Sequence, residues 1–559
     1  MKNKRVEIIL ILISVNFLIL LFAILNPQIK INSPLSQNGI ELKSISFNEL
    51  TDFRVTAYNE KADSLLKAQL KNSQNQTDNS NYGSLKEAEY LDNPIVGDEA
   101  PLDKFFEALI KESSSKLVRI AHYGDSQIEG DRITSDLREL FQKKFGGNGA
   151  GFIPLIDITN NVSSYVYATP NWERHSVFNN RIRGSRYGIG GLVFRFSKYG
   201  KIEIKPKKKN GDSIDVEIDT EIENNETEEI IPKTPEVPVP IVPDTSNSLS
   251  ASNYKTKKNR SLKVLQAGFM SSSLQDEPDE PEKNGKKDSI QYQTVYMPVA
   301  SLTVGMQKFG SFSRITLLYG DAPENFDINV IGSNNKNLYS KTVPESKGLK
   351  LLNIGLNGYS PKLKFEFEGG KSPDIYGIYF DSTAGVQIDN YGIRGHSGDG
   401  LRLIDPSFLA SQYKLLNTKL IILQFGMNVT PILKSDKAVE KMEEMYFEVF
   451  KHIREAAPEA SILVIGVGDM GKIINGSYQS NPYIPKLNAV IKKTAIANGC
   501  AYWELFEMMG GANSIINWSN NGFAARDGHI REKGQKLVAG ELFKSLMTEL
   551  NNYKIRKGL

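Results

Sequence analysis

Apolar positions recur along this chain in two rhythms, and the change from one to the other divides it. Leu117, Val118, Ile120 and Ala121 form a short apolar run. Ile133, Leu137, Leu140, Phe141 and Phe145 then follow at helical spacing and stop at Gly146-Gly147, as a helix does at a left-handed cap. Further runs at Ile375, Ile378 and Phe380, at Leu420–Phe425 and at Ile462–Val467 read as buried strands. Helices are expected at 101–112, 438–456, 485–498 and 532–551. Alternation of strand and helix predicts a parallel sheet covered on both faces, a flavodoxin-like three-layer α/β domain.

From about 196 to 374 the rhythm changes to short alternating strands. Val295–Met297, Ile315–Tyr319, Phe326–Val330 and Leu363–Phe367 predict a small β-sandwich inserted into the α/β domain. Within it, stretches rich in Pro, Glu and Ser at 222–260 and 274–289 have too little apolar content to pack, so about 205–290 is expected to be disordered loop.

At the other end, Lys2, Lys4 and Arg5 precede an apolar run from Ile8 to Leu25 broken only by Ser14 and Asn16. That approaches the ~17–25 residues that span a bilayer. A cleaved signal peptide is the rival, but its apolar region is shorter, ~7–15 residues, and Ala23-Ile24-Leu25-Asn26-Pro27 lacks an Ala-x-Ala site. The basic flank predicts an N-terminus in the cytoplasm and the rest of the chain across the membrane. The expected organisation is therefore an anchor at 1–26 and a polar spacer at 27–100. The α/β domain occupies 101–195 and 375–559, with the β-rich insert at 196–374.

Length and charge narrow the function classes. At 559 residues the chain is too long for one domain, and a formal net charge of +3 is too balanced for a nucleic-acid-binding protein. The basic run Lys205–Lys209 is answered by acidic residues from Asp215 to Glu229, and both read as solvated loop. A single cysteine, Cys500, forms no internal disulfide and reads as a small buried apolar residue. No His-Glu-x-x-His, paired cysteines or calcium loop points to a metal, and Gly188-Ile189-Gly190-Gly191 lacks the Lys and helix of a phosphate loop. No cofactor is implied.

The candidate chemistry lies at strand ends. Tyr123-Gly124-Asp125-Ser126-Gln127 sets a lone serine where the first strand turns toward a helix. The same tripeptide at Gly211-Asp212-Ser213 has no strand before it, so context separates the two. A serine hydroxyl is a poor nucleophile unless a base takes its proton and donors await the oxyanion. Asn390–Gly395 offers a loop glycine, Gly395, whose N–H could face an oxyanion; Asn428, in Gly426-Met427-Asn428, could donate its side-chain amide. His529, in Arg526-Asp527-Gly528-His529 ahead of the last helix, is the natural base. Each also has a plainer reading. Gly-Asp-Ser can be an ordinary turn, Asn428 a helix cap, Gly395 a tight turn, and His529 a solvated loop residue. His122, His175, His396 and His452 are expected to be structural or exposed, His396 being set apart by its place beside Gly395.

Gly-Asp-Ser, a loop glycine, Gly-x-Asn and a late Asp/His pair, in that order, resemble the SGNH (GDSL-type) hydrolase superfamily. Gly124–Gln127 with Leu137–Phe152, and Tyr391-Gly392-Ile393-Arg394-Gly395-His396, resemble its branch of Gram-negative peptidoglycan O-acetylesterases, which also carries a β-rich insert. The resemblance covers roughly 116–195 and 375–548. It implies a serine esterase, bacterial and outside the cytoplasm, with Ser126, His529 and an acid as triad, and an oxyanion hole of Ser126, Gly395 and Asn428. It implies an O-acylated glycan substrate, peptidoglycan foremost. Two alternatives stay open: an acetyltransferase served by a membrane-bound acyltransferase, and a glycan-binding protein with a degenerate site. The last block departs from the superfamily's Asp-x-x-His. Asp527 lies two residues before His529 and Arg526 holds the expected acid position, so Asp527 is the candidate orienting acid only if its loop lets it reach the second ring nitrogen.

Overall fold

This computed structural model describes residues 93–204 and 291–559, apart from Glu99, Asn179, Asn357, Ser360 and Pro361. The expected anchor at 1–26, nearly all of the spacer, the loops at about 205–290 and Ser213 lie outside the described residues. Among those described, no helix is long and apolar enough to cross a membrane. The described residues up to 201 and from 294 onward belong to one compact unit.

The central sheet has five parallel strands: β1 (Leu117–Gly124), β2 (Gly385–Gly392), β3 (Thr418–Gln424), β4 (Ser461–Ile465) and β5 (Ala501–Trp503). Their order is β2-β1-β3-β4-β5, the flavodoxin-like order in which successive connections run to opposite sides of β1. Every residue of β1 is buried, as in a sheet covered on both faces. Side chains of alternate parity separate into two cores. Val118, Ile120, Val386, Ile388, Leu420 and Ile422 pack against α1 (Asp103–Glu112), α2 (Thr134–Phe145) and the last helix, Glu532–Lys557. Ala121, Tyr123, Ile421, Leu423, Ile462 and Val464 pack against α3 (Pro406–Leu415), α4 (Asp436–Ala456) and α5 (Ile484–Ala497).

Local chemistry sets the helix ends. Asp405 caps α3 by accepting from the Phe408 N–H at 2.7 Å, with Pro406 in the first turn; Ser435 caps α4 through the Ala438 N–H. α2 stops at Gly146, whose φ of 75° suits glycine, as the spacing predicts.

The inserted strands form a sandwich. One sheet runs Lys350–Ile354, Arg314–Tyr319, Ile375–Asp381, Leu192–Phe196, Trp172–Ser176, with Gly151–Ile153 added on Ile375–Asp381. The other runs Asn337–Val343, Phe326–Gly332, Lys362–Gly369, Val299–Met306, Ser164–Ala168. Phe194, Leu317, Ile378 and Phe380 meet Leu302, Ile328, Phe365 and Phe367 between them, Phe365 standing edge-on to Phe380. The first sheet turns its other face, Leu318, Tyr376 and Tyr379, into the α/β core.

These assignments correct the expected boundaries. The sandwich begins at Gly151 rather than 196, and Ile375–Asp381, expected to reopen the α/β domain, pairs antiparallel with Arg314–Tyr319. The central sheet resumes at Gly385. An apolar run buried on both faces looks alike in either setting, which is why periodicity did not separate them.

A buried polar seam joins the two parts. Arg119 on β1 donates to both oxygens of Asp389 on β2 at 2.7 Å and to Asp381 of the sandwich at 2.6 Å. Asp389 also accepts from the Phe152 N–H and the Tyr391 hydroxyl. Burial works against the Arg119 cation, yet the two carboxylates hold it more firmly protonated; burial pushes the Asp389 carboxyl up. The chain passes this seam at Gly149, where φ is +87° and a Cβ would stand 2.1 Å from the Phe380 carbonyl oxygen.

Arg119→Met would leave two carboxylates buried without their cation. We expect a loss of ~3–5 kcal/mol of stability, read as a lowered urea midpoint, because removing one partner of a buried ion pair strands the other. A shift under ~1 kcal/mol would show that the seam is not a main support.

Candidate active site

Sheet order brings the sequence blocks together. Gly124 lies opposite Gly392 on β2 and opposite Gln424 on β3, so the segments leaving these neighbouring strands start from one level. Ser126, Gly395 and Asn428 stand two, three and four residues beyond those positions. The Ile393 N–H donates to the Gly124 carbonyl at 3.0 Å, and the Asn428 side-chain amide donates to the His396 carbonyl at 3.1 Å. Asn428 is thereby tied to the residue after Gly395. Gly395 has φ +76° and open space where a Cβ would be. Among the described residues, neither the Ser126 nor the Gly395 N–H donates to another group.

Ser126 does not open a helix directly. A turn and a short 3-10 segment, Glu129–Asp131, separate it from α2. This connection holds Gly130, Asp131 and Ile133 at positive φ. Buried charge fixes it: Arg138 grips both oxygens of Asp131 at 2.6 and 2.9 Å, and Glu129 takes Arg394 of the glycine loop at 2.7 Å. The segment carrying Ser126 and the loop carrying Gly395 are therefore clamped to each other.

His529 arrives from the far end of the chain. Its Nε2 lies 2.9 Å from the Ser126 Oγ, across 403 residues of sequence. The loop is closed by an Ala524–Ile530 bridge, and the Ala525 N–H donates to the His529 carbonyl. Asp527 reaches back to the imidazole: Oδ2 is 3.0 Å from Nδ1, and Oδ1 accepts from the His529 N–H at 3.1 Å. Gly528 permits this at φ +92°, with Met470 packed where a Cβ would go. Asp527 is the more exposed partner, its side chain 66% accessible against 37% for His529. Partial burial raises the Asp527 pKa, but the amide, charge and ring N–H of His529 outweigh it and hold the carboxyl below its ordinary value. Arg526 stacks over the Tyr478 ring at 5.4 Å.

The other histidines take structural places. His122 is fully buried between Thr134 and Gln424, and burial drops its pKa to about 4. His396 packs between Phe178 and Phe425, and burial likewise lowers it to about 4. Both are neutral at physiological pH. Cys500 is buried. Among the described residues no His, Cys, Asp and Glu cluster is arranged to hold a metal ion.

Sequence reasoning missed Asp125 as more than a motif letter. Its Oδ1 accepts from the Gln127 N–H at 2.9 Å, while both ends of the Gln127 amide are buried without a partner. Burial drives the Asp125 pKa from 3.8 to about 7, moderated by backbone amides of Gln127 and Met427.

No protein-family model matches the chain, and no curated protein sequence matches it. Among solved structures, a peptidoglycan O-acetylesterase superposes with a TM-score of 0.52 at 16% identity, over 82% of this chain and 99% of that one. The acetyl xylan esterase AlAXEase aligns at 17% identity and a TM-score of 0.23, over 29% of this chain and 81% of its own. A family two carbohydrate esterase from Cellvibrio japonicus aligns at 12% identity and 0.21, over 45% and 90%. The first of these shares the fold of this chain over most of the length of both.

A raised carboxyl pKa makes stability fall with pH. Folded Asp125 keeps its proton up to about pH 7 while the unfolded group ionises from about pH 4, so its cost grows across that window and is complete above it. Asp125→Asn removes the ionisation. Thermal melts should show the variant gaining on wild type from pH 5 to pH 8; a gap that shrinks over that range would contradict the burial of a titrating carboxyl.

Proposed function

We propose that this chain is a serine esterase that removes O-acetyl groups from a cell-envelope glycan, peptidoglycan foremost, through an acyl-Ser126 intermediate. The observation that carries the reading is the 2.9 Å contact between Ser126 Oγ and His529 Nε2, backed on Nδ1 by Asp527. Support for the substrate class is the shared fold with an enzyme described as a peptidoglycan O-acetylesterase.

In this reading Ser126 Oγ attacks the ester carbonyl carbon as His529 Nε2 takes its proton. The carbonyl oxygen becomes an oxyanion, met by the Ser126 and Gly395 N–H groups and the Asn428 side-chain amide. Collapse breaks the bond to the sugar oxygen, which leaves with the proton from His529. Water, deprotonated by the same imidazole, then attacks the acyl-serine and releases acetate. Asp527 keeps the proton on Nδ1 and stabilises the imidazolium. We further propose that the Ile8–Leu25 run anchors the catalytic domain in a membrane on the side away from the cytoplasm, where such a glycan lies.

On a chromogenic acetyl ester, Ser126→Ala or His529→Ala should lower kcat by at least ~10³-fold with an unchanged melting temperature. Ser213→Ala should have no effect. Near-wild-type turnover by Ser126→Ala would remove the assignment. Asp527→Asn should cost at least ~10²-fold by favouring the wrong tautomer, with Asp527→Glu partly active. An unaffected Asp527→Asn would reduce the triad to a Ser-His dyad.

Hydrolysis and transfer differ in what receives the acyl group. Hydrolysis predicts that residues 84–559 alone release acetate from O-acetylated glycan, and that added sugar acceptor does not divert it. Long-lived acyl-Ser126 by intact-mass spectrometry, with acetylated oligosaccharide as main product, would instead identify a transferase.

A further inference from the structure

A cleft opens where the sandwich meets the catalytic layer. Its floor on the catalytic side is Asn390–Ile393, the end of β2 and the start of the glycine loop, two residues short of Gly395. Phe152 and Arg174 rise from the sandwich side, with Asp157 and Ile158 on the connection between them. The cleft is therefore built onto the loop that carries the candidate oxyanion donor.

Two charged side chains in its wall have bonding capacity to spare. Arg174 is half-buried, and among the described residues its guanidinium makes no hydrogen bond or ion pair. Its donors face the cleft and are open to an acceptor brought by a ligand. Asp157 commits Oδ1 to the Thr159 N–H and hydroxyl, leaving Oδ2 without a partner among the described residues. The two attract each other electrostatically but form no ion pair, so each stays open to a third group. The remaining charged residue of the lining, Asp131, is neutralised by Arg138. Cation and anion thus balance in the cleft, which favours a neutral ligand that both accepts and donates hydrogen bonds. Sugar hydroxyls do both. Ile158, 62% exposed, supplies an apolar surface for the face of a pyranose ring.

We propose that this cleft is a sugar subsite, which holds a neutral pyranose ring beside the acetylated one through hydroxyl groups that accept from Arg174 and donate to Asp157. The proposal rests on the esterase reading for the reaction it serves. It deepens that reading by assigning glycan recognition to residues outside the triad.

The test compares kcat/KM for an O-acetylated chitooligosaccharide with kcat/KM for a small chromogenic acetyl ester. In Arg174→Met and in Asp157→Asn the ratio of glycan to small ester should fall at least ~10-fold, carried by KM, as loss of a charge-assisted hydrogen bond implies. Calorimetry should show chitotetraose binding to wild type and weakened binding to both variants. Should Arg174→Met fail to fold, Asp157→Asn, which keeps the Thr159 contacts, decides. An unchanged ratio, or a parallel fall for both esters, overturns the subsite. A loss seen only with a carboxylate-bearing acetylated glycan also overturns it, in favour of an anion site. Wild type inert toward both esters would sink the esterase reading instead, and the chitotetraose titration would still judge the cleft.

Discussion

The ion pairing of Arg119 with Asp389 and Asp381 is the constraint on which the rest of the arrangement depends. A guanidinium buried in the middle of β1 is tolerable only if carboxylates meet it, and here one comes from the neighbouring strand and one from the sandwich. That single residue therefore sets β1 against β2 and sets the sandwich against both. Gln387 extends the seam, its amide donating to carbonyls of Asn148, Gly149 and Phe380 and to Asp381. Directional bonds of this kind specify one register where apolar contact alone would allow several.

From that registration the site follows. Ser126 leaves β1, Gly395 leaves β2, and Asn428 leaves β3, three adjacent strands whose ends are level. The connection after Ser126 takes unusual backbone angles, held by Asp131–Arg138 and by Glu129–Arg394. Strain of this kind persists only where the surroundings over-determine it, and it lies immediately after the candidate nucleophile. His529 is the one component that comes from outside this group of strands, on a loop closed on itself just before the last helix.

Much of this was legible in the sequence because the relevant signals were local. The α/β class followed from alternating periodicities; Ser126, Gly395 and Asn428 each stood beyond a strand, and His529 stood ahead of the last helix. Asp527 was harder, since its spacing departs from the related pattern; only the Gly528 backbone at positive φ shows how it turns back onto the imidazole. What the sequence hid was non-local. Ile375–Asp381 has the composition of a central parallel strand because the sheet it joins is covered on both faces. Arg119 sat inside an apolar run, and the lone acids Asp381 and Asp389 in two other apolar strands were the signal that it had partners. Arg174 and Asp157, seventeen residues apart and unremarkable in sequence, share a cleft only through the tertiary fold.

The central claim is that Ser126 is made nucleophilic by His529. Treatment of the purified protein with a fluorophosphonate, followed by intact-mass and peptide mapping, tests it most directly, because such reagents trap an activated serine. The account predicts one adduct, on Ser126, that is lost in His529→Ala. Absence of labelling, labelling at another serine, or labelling of Ser126 that persists without His529 would contradict it.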